Sequence, residues 1–264
     1  MTPFDSVDAV FFDLDETLLD YEGAVRLAIR ELHGHDICAA LAEGIDPDRF
    51  HSHFSAINAE HWERYAAGEI TTDELRRGRM AALMERCRDD RPIPLPDPTE
   101  MGMIYMNGLI AASGPLDGAV ELLNFLRHRF PLGFITNGFA DVQLARLKFM
   151  KLDHCFAHAI YSEEVGAPKP DPAIFRAALA AAGTSAERTL YIGDNFRCDI
   201  VGALDAGLRA IWVNPGRNEI PSEYSHAMPD AIIRSIAELI PPPDFSFALS
   251  QSTTASSVHD NLAP

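Results

Sequence analysis

Two carboxylates, Asp13 and Asp15, follow directly on the apolar run Val10-Phe11-Phe12. Two acids at the end of a buried segment are costly unless they hold a cation or do chemistry. Three more polar groups end or follow apolar runs downstream. Thr136-Asn137-Gly138 closes one run; Gly193-Asp194 closes another, with Asp199 five residues on. Lys169 lies in the loop Gly166-Ala167-Pro168-Lys169-Pro170. If the runs are strands of one parallel sheet, their ends share an edge. Four carboxylates, a lysine, a hydroxyl and an amide can then converge. Clustered carboxylates repel one another, so a divalent cation that prefers oxygen ligands would relieve them. Taken singly, each residue also has a plain structural reading: a turn after a strand, a solvated loop lysine, or a charge at a helix start.

The elements that must position these residues are legible in the periodicity. Val7 to Phe12 is apolar and free of Gly and Pro, as a strand covered on both faces should be. Strands are also expected over 132–136, 156–161, 189–192 and 210–213. Helices are expected between them over 119–128, 141–150, 172–182 and 199–206. Asp171 and Pro172 open the third of these helices, and Gly183 lies just past its end. Asp20 and Asp171 are read as loop and cap residues. This alternation predicts an α/β fold with a Rossmann-like parallel sheet and right-handed crossovers. Between the first and second strands lie four helical stretches. They begin near Glu22, at Pro47, at the capping-box pattern Thr71-Thr72-Asp73-Glu74, and near residue 98. They predict an inserted helical-bundle cap over 21–112, with the α/β core domain formed by 1–20 and 113–243. Residues 244–264 follow three prolines, lack periodicity and read as a disordered tail.

Composition narrows the function. The chain has 264 residues, with 22 Lys and Arg against 39 Asp and Glu, a formal net charge of −17. Such a surface repels phosphate backbones, so a nucleic-acid polymer is not an expected partner. An anionic substrate must then be met by a local positive site or a metal ion. Cys38, Cys87, Cys155 and Cys198 form no CxxC pair and read as free thiols in a reducing compartment. No apolar run is long enough to span a membrane, and the N-terminus lacks a signal-peptide pattern. A cytoplasmic protein without a membrane partner is expected.

The four segments, in this order, resemble the motifs of the haloacid-dehalogenase superfamily. Asp13, Asp15 and Thr17 match its DxDx(T/V) motif, Thr136 its second, Lys169 its third, and Gly193, Asp194 and Asp199 its GDxxxxD. The resemblance covers about residues 7–240. It implies a Mg²⁺-dependent phosphomonoester hydrolase acting through an aspartyl-phosphate. Asp13 would be nucleophile and metal ligand, Asp194 a ligand, and Asp15 a ligand through its carbonyl. Asp199 would stand behind the metal. Asp15 would also act as the acid and base; Thr136, Asn137 and Lys169 would hold the phosphoryl oxygens. Dehalogenases of the superfamily lack the second aspartate, because a halide leaves without a proton. Asp15 therefore favours a phosphate ester. Phosphomutases usually carry Gly where Glu16 stands.

Ile135 to Phe139, then Gln143, Arg146 and Leu147, then Ser162 to Gly166 resemble the pyrimidine 5′-nucleotidase branch more closely than the acylneuraminate-9-phosphate phosphatase branch. A small phosphorylated metabolite, foremost a nucleoside 5′-monophosphate, is the expected partner of a monomer or homodimer. A sugar phosphate, a haloacid, phosphoryl transfer between sugar positions and a non-catalytic scaffold are the alternatives. Phe139, His61 and Trp62 are the expected specificity residues. Trp62 and Tyr65 could equally be ordinary core of the bundle, and helix periodicity leaves both readings open.

Overall fold

The computed structural model describes residues 3–241; the tail expected over 244–264 lies outside the described residues. Six strands form one sheet: β1 (Ala9–Phe12), β2 (Leu132–Thr136), β3 (His158–Tyr161), β4 (Thr189–Gly193), β5 (Arg209–Val213) and β6 (Ala231–Ile233). Their order is β3-β2-β1-β4-β5-β6, and every neighbouring pair is parallel. The chain thus winds outward one way through β2 and β3 and the other way through β4 to β6. In such sheets the crevice where the winding reverses, at the carboxyl end of β1, is where ligands bind.

Between β1 and β2 lie α1 (Tyr21–Gly34), α2 (Ala39–Ala42), α3 (Pro47–Ala66), α4 (Thr72–Arg88) and α5 (Pro98–Ala111). They bury their own apolar cluster, which includes Ile29, Phe50, Phe54, Met80, Leu83 and Tyr105. The Thr71–Glu74 capping box at the start of α4 is formed in both directions. The chain enters and leaves this insertion side by side: Asp20 N donates to Gly114 O at 3.0 Å and Leu116 N to Leu18 O at 2.9 Å. Of the expected four helices, all are present; the short α2 is additional.

Side chains alternate across the sheet with a period of two. Val10, Phe12, Leu132, Phe134 and Ile192 face α6 (Ala119–Leu126) and α7 (Ala140–Phe149). The single-turn α8 (Ser162–Val165) follows β3 directly. Ala9, Phe11, Ile135, Tyr191 and Trp212 face α9 (Pro172–Ala182) and the segment after β4. The caps of α9 stand as expected: Asp171 accepts from Ala173 N at 2.8 Å, and Gly183 is left-handed with φ 65°.

Two elements differ from expectation. The helix expected over 199–206 begins earlier, as a π-helical turn Phe196–Val201, and continues as α10 (Gly202–Asp205). The Asn195 side chain, accepting from Cys198 N at 2.9 Å, fixes that earlier start. Strand β6 has only three residues, of which Ile232 is 51% exposed, so no buried alternation announces it. All four cysteines are free thiols. Among the described residues no helix is long and apolar enough to cross a membrane.

Candidate active site

The carboxyl ends of β1, β2 and β4 and the loop before α9 bring the motif residues together. Asp13 N donates to Ile192 O at 2.9 Å, tying the first aspartate to the neighbouring strand. Past Asp15 the chain turns sharply. Glu16 is left-handed, φ 60°, and its carboxylate accepts from Glu22 N at 2.7 Å. Leu19 pairs back onto Asp15 and across onto Pro115, fixing the second aspartate at the root of the helical insertion. At the end of β4, Gly193 admits Asp199: a Cβ there would stand 2.5 Å from the Asp199 side chain.

Lys169 is the hub. Its ammonium donates to Asp13 Oδ1 at 2.5 Å, Asp199 Oδ1 at 2.7 Å and Tyr191 OH at 3.0 Å, using all three of its protons. Asn137 lines the cavity and steadies the lysine loop with its amide. Lys169 N donates to Asn137 Oδ1 at 2.8 Å, and Asn137 Nδ2 to Lys169 O at 3.1 Å. Thr136 Oγ1 accepts from Gly138 N at 3.0 Å and from Gln143 Nε2 at 3.2 Å, which leaves its own proton free to donate. Asp194 accepts from Thr17 at 3.4 Å, and its carbonyl from Trp212 Nε1 at 2.8 Å. Asn195 N donates to Asp199 Oδ2 at 2.9 Å.

One cation does not neutralise this cluster. Burial pushes the Asp13 carboxyl well above the usual range; Lys169 opposes the rise, and Asp199, Asp194 and Asp15 add to it. Asp194 is pushed up to about 7, by burial first and Asp199 second. Burial works against the Lys169 ammonium, yet Asp13 and Asp199 hold its pKa well above the ordinary lysine value. A carboxylate oxygen of each of Asp13, Asp194 and Asp199 lies within 4.8 Å of the others, a set that fits an oxygen-seeking divalent cation.

The residues that hold Asp15 were not assigned a role from the sequence. Gln143 Nε2 donates to Asp15 Oδ2 at 2.7 Å, and Arg146 Nη1 to Asp15 Oδ1 at 2.5 Å. Arg146 also donates to Gln143 Oε1 at 2.8 Å and to Ser113 Oγ at 2.8 Å. Arg146 is 1% exposed. The signal was present: a Gln and an Arg three residues apart share one face of α7. What that face meets depends on the packing of Asp15, 131 residues away from Arg146 in sequence. Tyr191, expected only as strand core, is likewise part of the lysine hub.

Above the acidic floor opens a cavity of about 300 Å³, at the lower end of the range for small-molecule sites. Trp62 of α3 and Phe139 of the β2–α7 loop both line it, their rings stacked at 5.0 Å and 26°. His61 does not line it. Neighbouring helix residues point about 100° apart, and His61 turns toward α4, where it packs near Gly78 with Nδ1 2.8 Å from Ile57 O. The expectation of His61 beside the substrate is thereby corrected. A further contact joins α4 to the sheet side. Arg76 pairs with Asp141 at 2.5 and 2.9 Å, its guanidinium 4.5 Å from the Phe139 ring centroid.

A parallel sheet wound both ways from β1, with an acidic cluster around a buried lysine at its carboxyl edge, defines a class of hydrolase. Residues 7–207 match the model of the haloacid dehalogenase-like hydrolase family, and the chain belongs to it. It is 33% identical to pyrimidine 5′-nucleotidase YjjG of Escherichia coli (strain K12), over 88% of this chain and 96% of that protein. It is 28% identical to a glyceraldehyde 3-phosphate phosphatase of Methanothermobacter thermautotrophicus, over 88% of this chain and 97% of that one. Among solved structures, the magnesium-bound putative HAD-hydrolase YfnB of Bacillus subtilis superposes with a TM-score of 0.73 at 29% identity, covering 88% of this chain and 96% of that one.

Proposed function

We propose that this protein is a Mg²⁺-dependent phosphatase of nucleoside 5′-monophosphates, with pyrimidine nucleotides as its preferred substrates. The observation that carries this reading is the pairing of two features in one cavity. Asp13 stands in the acidic cluster on the floor, with Asp15 at its side, while Trp62 and Phe139 form an aromatic wall above. The wall suits a planar base, and the likeness to YjjG supports the same choice.

Asp13, Asp194 and the Asp15 carbonyl would hold Mg²⁺, with Asp199 behind them. The ion would supply positive charge for the phosphoryl oxygens. Asp13 attacks phosphorus through the oxygen that Lys169 leaves free, forming the aspartyl-phosphate as the P–O5′ bond breaks. Asp15 gives its proton to the departing O5′. Water then attacks the phosphorus, Asp15 takes its proton, and the Asp13–phosphorus bond breaks to release phosphate. The Thr136 hydroxyl and the Asn137 backbone N–H hold the phosphoryl oxygens through both steps, while the Lys169 ammonium, its three protons already donated, offsets their charge from beside them. The residues over 21–112 act as the cap that keeps bulk water out. The Asp20 and Gly114 junction would serve as its hinge.

The test is phosphate release, with Mg²⁺ and with a chelator, from UMP, dTMP, AMP, ribose 5-phosphate and glyceraldehyde 3-phosphate. Release that needs Mg²⁺ and is fastest with UMP or dTMP supports the reading. Release confined to the sugar phosphates overturns the nucleotide assignment in favour of the triose-phosphate activity named for one relative. Halide release from 2-chloropropionate with no phosphate release overturns the phosphatase.

Two further results are expected. Without a divalent cation, the raised pKa values of Asp13 and Asp194 mean that the folded state binds protons which the unfolded state has lost. Stability of the chelated protein should therefore fall as pH rises from about 4 to about 7. Mg²⁺ should then raise Tm more at about pH 7.5 than at about pH 5, because its ligands must be deprotonated. Equal increments at both pH values contradict the placement of the ion. Arg76→Ala removes the Asp141 pair that ties the insertion to α7. Since Asp141 is 63% exposed, KM for the nucleotide should rise only about two- to fivefold, less at high salt. An unchanged KM at low salt contradicts the tie.

A further inference from the structure

The same cavity holds a second polar feature that the reaction steps leave unused. Arg79 of α4 is 3% exposed, and among the described residues no carboxylate pairs with it. Its Nη1 donates to Asn58 Oδ1 at 2.9 Å, Nη2 reaches Met106 Sδ at 3.4 Å, and Nε meets no acceptor among the described residues. The guanidinium lies 4.9 Å from the centroid of the Tyr105 ring. Tyr105 of α5 is fully buried; its hydroxyl lies beside the Tyr21 phenol, and among the described residues no carbonyl or carboxylate accepts from it. Burial holds the Tyr105 pKa well above the ordinary value, so the hydroxyl keeps its proton to donate. Arg79 and Tyr105 both line the cavity that Asp13 and Lys169 floor.

A buried guanidinium without an anion is costly, and an amide oxygen and a thioether offset little of that cost. The cost falls when a bound molecule brings an acceptor. Two donors therefore wait on the part of the cavity built from α4 and α5. Their surroundings, Met106 and Leu109, are apolar and accept a neutral group more readily than a second phosphate.

We propose that Arg79 and Tyr105 form a subsite for the ring carbonyl oxygens of the pyrimidine base. The assignment rests on the nucleotidase reading above and deepens it. Uracil and thymine carry two keto oxygens and cytosine one. Adenine carries none and would point an amine donor at two donors. Such a site rejects a ligand that leaves its buried groups unpaired. Arg79 and Tyr105 therefore select the substrate and touch no reacting atom.

The experiment compares kcat/KM for UMP, AMP and ribose 5-phosphate in the parent enzyme, Arg79→Met, Arg79→Lys and Tyr105→Phe. Arg79→Met is expected to lose about 10- to 100-fold toward UMP and no more than about threefold toward ribose 5-phosphate, mostly through KM. Arg79→Lys should recover part of the loss. Tyr105→Phe should lose about two- to tenfold toward UMP alone. Equal losses toward UMP and ribose 5-phosphate in both Arg79→Met and Tyr105→Phe would mean a purely structural role and overturn the subsite. If Arg79→Met fails to fold, Tyr105→Phe decides, since it removes one oxygen and keeps the ring. A parent enzyme that does not prefer UMP over ribose 5-phosphate overturns the nucleotidase reading and the subsite with it. A parent preference for UMP over ribose 5-phosphate that survives undiminished in both variants overturns the subsite alone.

Discussion

Asp13→Asn is expected to abolish phosphate release from every ester while leaving the fold in place. The substitution keeps the size of the side chain and an oxygen for the Lys169 ammonium, now 2.5 Å from Asp13 Oδ1. It removes the anionic oxygen that has to bond to phosphorus. Loss of a covalent nucleophile typically costs at least about 10⁴-fold in kcat. Stability should not suffer. Burial and three neighbouring acids already penalise the Asp13 charge, so a neutral amide relieves repulsion in the cation-free protein. The check is steady-state phosphate release together with a thermal melt. The variant must first be shown by mass spectrometry to carry no deamidated product, which would restore the parent aspartate. Residual turnover within about 100-fold of the parent, in such a preparation, would remove Asp13 from the nucleophile's role.

Lys169→Met should have the second-largest effect, on stability as well as rate. Lys169 is the cation among Asp13, Asp199 and the Tyr191 hydroxyl, and it is 5% exposed. Methionine fills similar space but leaves two buried carboxylates facing each other. Breaking a buried ion pair from one side typically costs about 3–5 kcal/mol. In a chain of this size, Tm should fall by about 6–20 °C near neutral pH. The sign with pH is defined. Asp13 already titrates well above the usual carboxylate range, and losing Lys169 can only raise it further. The penalty should therefore shrink as pH falls and the acids take up protons. Activity should drop as well, since the phosphoryl oxygens lose their fixed positive charge. An unchanged melt near neutral pH, or a loss that grows toward acid, contradicts the hub.

Much of the site was legible before the fold because its residues sit where apolar runs stop. Asp13, Thr136 and Asp194 each follow or close a strand, and a parallel sheet turns that local regularity into a common edge. Helix α9 was legible to the residue because Asp171, Pro172 and Gly183 punctuate it chemically. The less legible parts depend on distant partners. Gln143 and Arg146 read as one polar face of a helix; that the face grips Asp15 follows only from tertiary packing. Tyr191 reads as an aromatic strand residue, and its hydroxyl acquires meaning from Lys169 and Asp199. Trp62 and His61 are neighbours on one helix and both polar-edged, yet the step of about 100° between them sends one to the cavity and the other against α4. Strand β6 is too short and too exposed to imprint a period. The π-helical turn at Phe196–Val201 departs from the 3.6-residue repeat by which helices are read from sequence.

With Asp13 as nucleophile, the phosphoryl group passes to its carboxylate before water removes it. The most direct measurement uses Asp15→Asn, in which hydrolysis of the aspartyl-phosphate is slowed. The variant is mixed with Mg²⁺ and ³²P-labelled p-nitrophenyl phosphate, whose departing phenolate needs no proton from Asp15, so that only loss of the label is slowed; the reaction is quenched in acid, and the labelled peptide is mapped. The expected result is a label that survives acid, is released by hydroxylamine and sits on the peptide carrying Asp13, with none on the same peptide when Asp13→Asn is added to Asp15→Asn. Phosphate release by the single variant with no label on that peptide, or a label elsewhere, would contradict the account.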